Sequence, residues 1–179
     1  MSISCIILFL VLLCLTAASA SAQRHFFFDQ PESFRHPVKL PREVLPLLRR
    51  EVDAIAGCNE KPSKEAPSFT ASRINLGANR PGIIVRVFED CSHSADNFWF
   101  WILLKTRRGY RSLLRAGTVS VTVRNARAHG FPNIETNAAT AEGNYTNVYK
   151  FDGSVYKVDM CTHTSFATRK TERVTCRPQ

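Results

Sequence analysis

From Phe69 to Met160 apolar residues tend to recur at every second position, and that alternation predicts a run of β-strands. The clearest stretch is Thr118 to Arg124, where Val119, Val121 and Val123 alternate with Thr118, Ser120, Thr122 and Arg124. One face of such a strand is buried and the other is wet. The same period predicts strands near residues 69–76, 83–88, 97–105, 110–114, 133–139, 145–151 and 154–160. Upstream the period lengthens. Leu45, Leu48, Val52 and Ile55 recur at steps of three and four while Arg49, Arg50 and Asp53 point away, which predicts one amphipathic helix from about Arg42 or Pro46 to Ala56. Proline suits a first helical position, and Gly57 suits the left-handed stop.

Turn chemistry joins these strands into hairpins. Asp152-Gly153, between Tyr149-Lys150-Phe151 and Ser154-Val155-Tyr156, predicts a two-residue type I′ loop, because that turn needs positive φ at both positions. A second hairpin is expected at Thr106 to Gly109, and His129-Gly130-Phe131-Pro132-Asn133 marks another reversal. Strands so close in sequence pair antiparallel. The expected fold is therefore α+β, with one N-terminal amphipathic helix packed on a mainly antiparallel β-sheet or sandwich. Residues 23–40 show neither period and read as an extended arm, whose Phe26-Phe27-Phe28 either docks on the core or stays free. The basic tail after Met160 reads as irregular and anchored by Cys161 or Cys176.

The first 22 residues alter the picture of where this domain works. Residues 3 to 15 are apolar and uncharged, and the run ends in Ala18-Ser19-Ala20-Ser21-Ala22, the small residues a signal peptidase needs. The run is shorter than the roughly 20 residues of a spanning helix. A cleaved leader, a secreted or periplasmic location and no transmembrane segment afterwards are the expectations. The remaining chain is expected to be an arm (23–40) followed by one disulfide-stabilised β-rich domain (41–179). Removing the leader leaves Cys58, Cys91, Cys161 and Cys176, an even number that predicts two disulfides in an oxidising compartment. Of the three connectivities, Cys58–Cys91 with Cys161–Cys176 is preferred. Cys91-Ser92-His93 and Cys161-Thr162-His163 lack the paired spacing of structural zinc sites, so no metal and no cofactor are expected.

The formal charge is +9, and none of it lies in the leader. Such an excess favours anionic partners, an envelope polymer or an acidic protein. Basic residues gather at Lys105, Arg107, Arg108, Arg111 and Arg115, around a predicted hairpin tip where guanidinium groups could converge on an anion. Nucleic acid is a poor third choice, since export removes most of it and no recognition motif is present. Phe98 to Leu104 is apolar on both faces, as a central strand covered on both sides would be. The competing reading leaves Trp99 and Trp101 open as a stacking platform. Arg107, Arg108, Arg111, Trp99 and Trp101 are thus the candidate binding residues.

Catalytic patterns are missing: there is no G-x-S-x-G elbow, no H-E-x-x-H and no P-loop. The alternative to a binding module is a secreted hydrolase whose site is assembled around Asp90, His93, His129 and His163. Asn144-Tyr145-Thr146 also fits the N-glycosylation pattern. Finally, Gly109-Tyr110-Arg111-Ser112-Leu113-Leu114, Gly130-Phe131-Pro132-Asn133-Ile134 and the closing Tyr149-Lys150-Phe151-Asp152-Gly153-Ser154-Val155-Tyr156 carry a resemblance. They resemble a loose group of exported, uncharacterised bacterial proteins with a Y-x-F-D-G-x-x-Y hairpin. The resemblance implies an envelope protein and no particular activity. The expected function is an exported, non-catalytic module that binds an anionic envelope component or a protein partner.

Overall fold

The computed structural model describes residues 23–27, 34, 37–53, 68–77, 80–88, 93–94 and 97–176. The architecture is mostly antiparallel β-sheet with one short helix. Strand β1 (Arg24–Phe27) comes first, then a 3-10 turn (Arg42–Val44) running into helix α1 (Leu45–Asp53). The first sheet follows: β2 (Ser68–Asn75), β3 (Pro81–Phe88), β4 (His93–Ser94), β5 (Asn97–Thr106) and β6 (Gly109–Thr118). In it β2 pairs with β3, β3 with β5, and β5 with both β4 and β6. The second sheet is built from β7 (Ser120–Ala128), β8 (Phe131–Ala139), β9 (Gly143–Phe151), β10 (Tyr156–Ser165) and β11 (Thr171–Arg173), with β1 added at the β7 edge.

The predicted strand 118–124 is divided between the two sheets. Thr118 closes β6 and Ser120 opens β7, with only Val119 between them. Here the Val119 amide donates to the Asn137 carbonyl at 2.8 Å, and the Thr118 hydroxyl lies 2.7 Å from that carbonyl and 2.9 Å from that of Ser120. A hydroxyl able to bond its local backbone lets the chain change sheets without orphaning buried carbonyls.

Between the sheets lies one core. Ile84, Phe100, Ile102, Leu114 and Ala116 meet Val121, Ile134, Tyr149, Phe151 and Tyr156 there. Phe131 stacks on Phe151 with centroids 3.9 Å apart, and the Tyr156 hydroxyl donates to the Pro132 carbonyl at 2.8 Å. Burial pushes the Tyr149 and Tyr156 hydroxyls above the usual tyrosine range. On the opposite face of the first sheet, Val44, Leu48 and Val52 of the helical segment cover Ala71, Val85, Val87, Trp101 and Leu103. The Trp101 indole N–H donates to the Glu51 carboxylate, so the helix is tied to the sheet by a polar bond as well as by apolar contact.

The extended arm docks on the core over Arg24–Phe27, which forms a strand against β7 with Phe26 in the core and Phe27 outside. Four residues with consecutive phenylalanines are too few to display a period of two. Two expectations are corrected. The tail is not irregular: β10 runs through Ser165 and pairs with β11. Its Thr162-His163-Thr164-Ser165 stretch is polar on both faces, so hydropathy gives no signal while the backbone ladder forms. Second, the loop between β9 and β10 has four residues, Asp152 to Val155, because the Asp152 carboxylate accepts the Ser154 and Val155 amides at 2.8 and 2.9 Å. The adjacent positive φ values of a type I′ turn occur instead at His129 (50°) and Gly130 (77°).

The Cys161–Cys176 disulfide is present, with Cα atoms 5.3 Å apart, and it fastens the segment after β11 to β10. Residues 1–22, Phe28, Ala56, Cys58, the loop 59–67, Cys91 and Asp90 lie outside the described residues, and so do the predictions that fall on them. Among the described residues no helix is long and apolar enough to cross a membrane.

Candidate functional site

In β2 and β5, the face that carries α1 changes character before the strand ends. In β2 the sequence of that face is Ala71, Arg73, Asn75; in β5 it is Trp99, Trp101, Leu103, Lys105. Register aligns the changes. Asn75 pairs with Pro81 and Arg73 with Ile83, while Lys105 pairs with Tyr110 across the β5–β6 hairpin. Where the apolar residues stop, a cleft of about 580 Å³ opens, lined by Arg24, Arg73, Arg80 and Lys105 with Asn75, Tyr110, Ile74, Pro81, Gly82 and Ile83. Its described lining holds four cationic side chains and no carboxylate. Like charges held together without counterions raise the local potential and favour an anion there.

Two of the cations are fixed by identifiable contacts. The Arg24 guanidinium donates to the Arg73 carbonyl at 3.0 Å, which carries the charge of β1 across to the first sheet. The Arg80 guanidinium carbon lies 4.5 Å from the centroid of the Phe131 ring, a cation–π arrangement that places the charge beside the inner core. The β2–β3 turn that presents Arg80 is held tightly. The Asn75 side-chain oxygen accepts the Gly77 amide at 3.0 Å, and the Arg80 amide donates to the Gly77 carbonyl at 2.9 Å. Gly77 has φ 124°, and a Cβ there would collide with the Gly130 carbonyl, so glycine is required by both conformation and space.

Of the basic residues that gather at the hairpin tip in sequence, Lys105 lines this cleft, whereas the candidate binding residues Arg107, Arg108, Arg111, Trp99 and Trp101 are not among its lining residues. Arg107 and Arg108 are exposed at the β5–β6 tip beyond Lys105. Arg111 is exposed and donates to the Ser154 carbonyl at 3.0 Å, bridging to the β9–β10 loop. Trp101 has no exposed surface and belongs to the core beneath α1, so its ring is no open platform. Trp99 is half-buried, with the Arg115 guanidinium carbon 5.6 Å from its ring centroid. Along β5 it is about 26 Å from Arg107, at about 3.3 Å per residue. Arg24, Arg73, Arg80 and Tyr110 went unnoticed in the sequence. The available signal was the switch from apolar to basic on one strand face, visible in both β2 and β5.

The histidine constellation is not gathered either. His129 is exposed in the β7–β8 turn, two positions from Phe131, whose ring meets Tyr156. His163 packs on Tyr145 with ring centroids 4.5 Å apart, about 23 Å along β10 from Tyr156. The two belong to opposite ends of the second sheet. Asp90 lies outside the described residues, and His93 is described only by its backbone pairing with Phe98. Among the described residues no three of His, Cys, Asp and Glu come together to hold a metal ion.

One carboxylate does lie at the end of the second sheet that Arg111 reaches. Asp152 is held down at about 2, first by the Val155 and Ser154 amides and then by Lys157, whose ammonium is 3.0 Å away. Asp152 is not among the residues that line the cleft. No protein-family model, curated protein or solved structure matches this chain, so the meaning of the cleft has to come from its own chemistry.

Proposed function

We propose that the protein is an exported, non-catalytic module that captures an anionic envelope component or acidic partner in the cleft of Arg24, Arg73, Arg80 and Lys105. The observation that carries this reading is four cations around about 580 Å³ with no carboxylate in the described lining. That volume is within the range of ordinary ligand sites. Arg107 and Arg108 form its outer rim and raise the rate of encounter, since exposed like charges steer an oppositely charged partner from a distance. The apolar leader and the Cys161–Cys176 disulfide support an oxidising, extracytoplasmic setting.

A charge-matched comparison tests it. Arg73→Glu with Lys105→Glu changes the net charge as much as Lys170→Glu with Arg173→Glu, two exposed positions at and beside β11. The cleft pair is expected to weaken binding to an immobilised polyanion at least tenfold more than the β11 pair at equal ionic strength. Equal losses would show that net charge alone drives the attraction and would remove the cleft from the account.

A further inference from the structure

The spacing of the cations narrows the ligand class. Arg73 is on β2 and Lys105 on β5, two strands apart, so their Cα atoms are separated by about 10 Å before any offset along the strands. Arg24 is held beside Arg73 by its bond to the Arg73 carbonyl, and Tyr110 is the register partner of Lys105. The Arg24–Arg73 pair and Lys105 thus form two positive poles with Pro81 and Ile83 of β3 between them, while the Arg80 guanidinium is engaged by the Phe131 ring. A lone phosphate or carboxylate is best held by donors that converge on one point. Poles set about 10 Å apart across an apolar floor instead suit a chain whose negative charges recur with uncharged, partly apolar surface between them.

Resting on the anion-binding reading above, we infer that the ligand is an acidic polysaccharide, bearing uronate-type carboxylates. Its carboxylates meet the Arg24–Arg73 pole and Lys105, and the apolar C–H face of an intervening pyranose ring covers Pro81 and Tyr110. An aromatic ring with a polar tip serves that surface well, because it offers an apolar face to the ring carbons and a hydroxyl to the sugar. A single aromatic is too little for nucleic acid, which is held by successive bases stacked on several rings.

Calorimetric titration at fixed ionic strength separates the possibilities, with polygalacturonate, neutral dextran, poly-glutamate and inorganic phosphate as probes. The expected result is binding of polygalacturonate at least tenfold tighter than poly-glutamate or phosphate, and no binding of dextran. Tyr110→Ala weakens polygalacturonate about tenfold and Tyr110→Phe leaves most of the affinity, with melting curves confirming that both variants fold. The ratio of polygalacturonate to poly-glutamate affinity in the unaltered protein decides the matter even if Tyr110→Ala does not fold. Equal affinity for the two polymers overturns the saccharide and leaves the anion-binding reading standing. Failure to bind any polyanion overturns both.

Discussion

The outer face of the first sheet has two halves that share the same strands and differ in what covers them. Under α1 the face is Ala71, Val85, Trp101 and Leu103, closed off by Val44, Leu48 and Val52. Beyond the helix it is Arg73, Asn75 and Lys105, exposed to solvent, with Tyr110 half-buried beside them. An uncovered apolar sheet face would be an aggregation hazard, so a strand that extends past its cover must turn polar. A polar change alone would be satisfied by any mixture of charges. Here the described lining carries cations with no carboxylate, and the proposed anion binding rests on that asymmetry.

The sharpest way to break the comparison is in the covered half. Trp101→Ala removes the largest fully buried side chain and strips Glu51 of its donor, and it is expected to cost about 3–5 kcal/mol in urea unfolding. A loss below about 1 kcal/mol would mean that the ring is not core. Leu48→Ala tests the cover itself, with an expected loss of about 3 kcal/mol from a residue with no exposed surface. In that variant the apolar half is left partly open, and binding of a hydrophobic dye should rise while polyanion affinity is unchanged.

Next in size is the turn that presents Arg80. Gly77→Ala places a Cβ against the Gly130 carbonyl at φ 124°, and about 2–3 kcal/mol of stability should be lost. Because the turn must shift, this substitution is expected to weaken polyanion binding as well, although glycine carries no charge. The cleft cations behave in the opposite manner. Arg73→Ala and Lys105→Ala, at exposed positions, should leave unfolding within about 0.5 kcal/mol of the parent while polyanion binding falls. If they destabilise as much as Leu48→Ala does, the two halves do not differ as described.

How much of this was legible in the sequence follows from which interactions leave a local trace. The alternation in β5, with Phe100 and Ile102 on one face and Trp101 and Leu103 on the other, was readable because both faces are apolar and buried. The helix was readable from Leu48 and Val52 for the same reason. Register between distant strands leaves no such trace. Nothing local says that Arg24 reaches Arg73, or that Arg73 and Lys105 flank the same stretch of β3, so the cleft was hidden although each of its residues was in view. Arg107, Arg108 and Arg111, by contrast, cluster in sequence. Proximity in sequence turned out to disperse them: two occupy a tip and the third is turned toward Ser154. The β9–β10 loop failed for a related reason, since Asp-Gly is compatible with several turns and the acceptor geometry of Asp152 selects among them.

The smallest expected effect concerns Asp152, a carboxylate outside the cleft whose bonds lie within its own loop and to Lys157. Its folded value is about 2, below the ordinary carboxylate value of 3.8, so its contribution is fully present above about pH 4. That contribution fades as the pH falls through about 2, where the carboxylate takes up a proton and releases the Ser154 and Val155 amides. Amide hydrogen exchange at those two residues should therefore show an acid-dependent loss of protection between about pH 4 and 2, once intrinsic exchange is corrected for. In Asp152→Ala the protection should be absent at every pH, and in Asp152→Asn, which keeps an acceptor oxygen without the charge, it should persist without the acid transition. Protection that survives in Asp152→Ala would mean that the backbone bond from the Asp152 amide to the Val155 carbonyl closes the loop unaided.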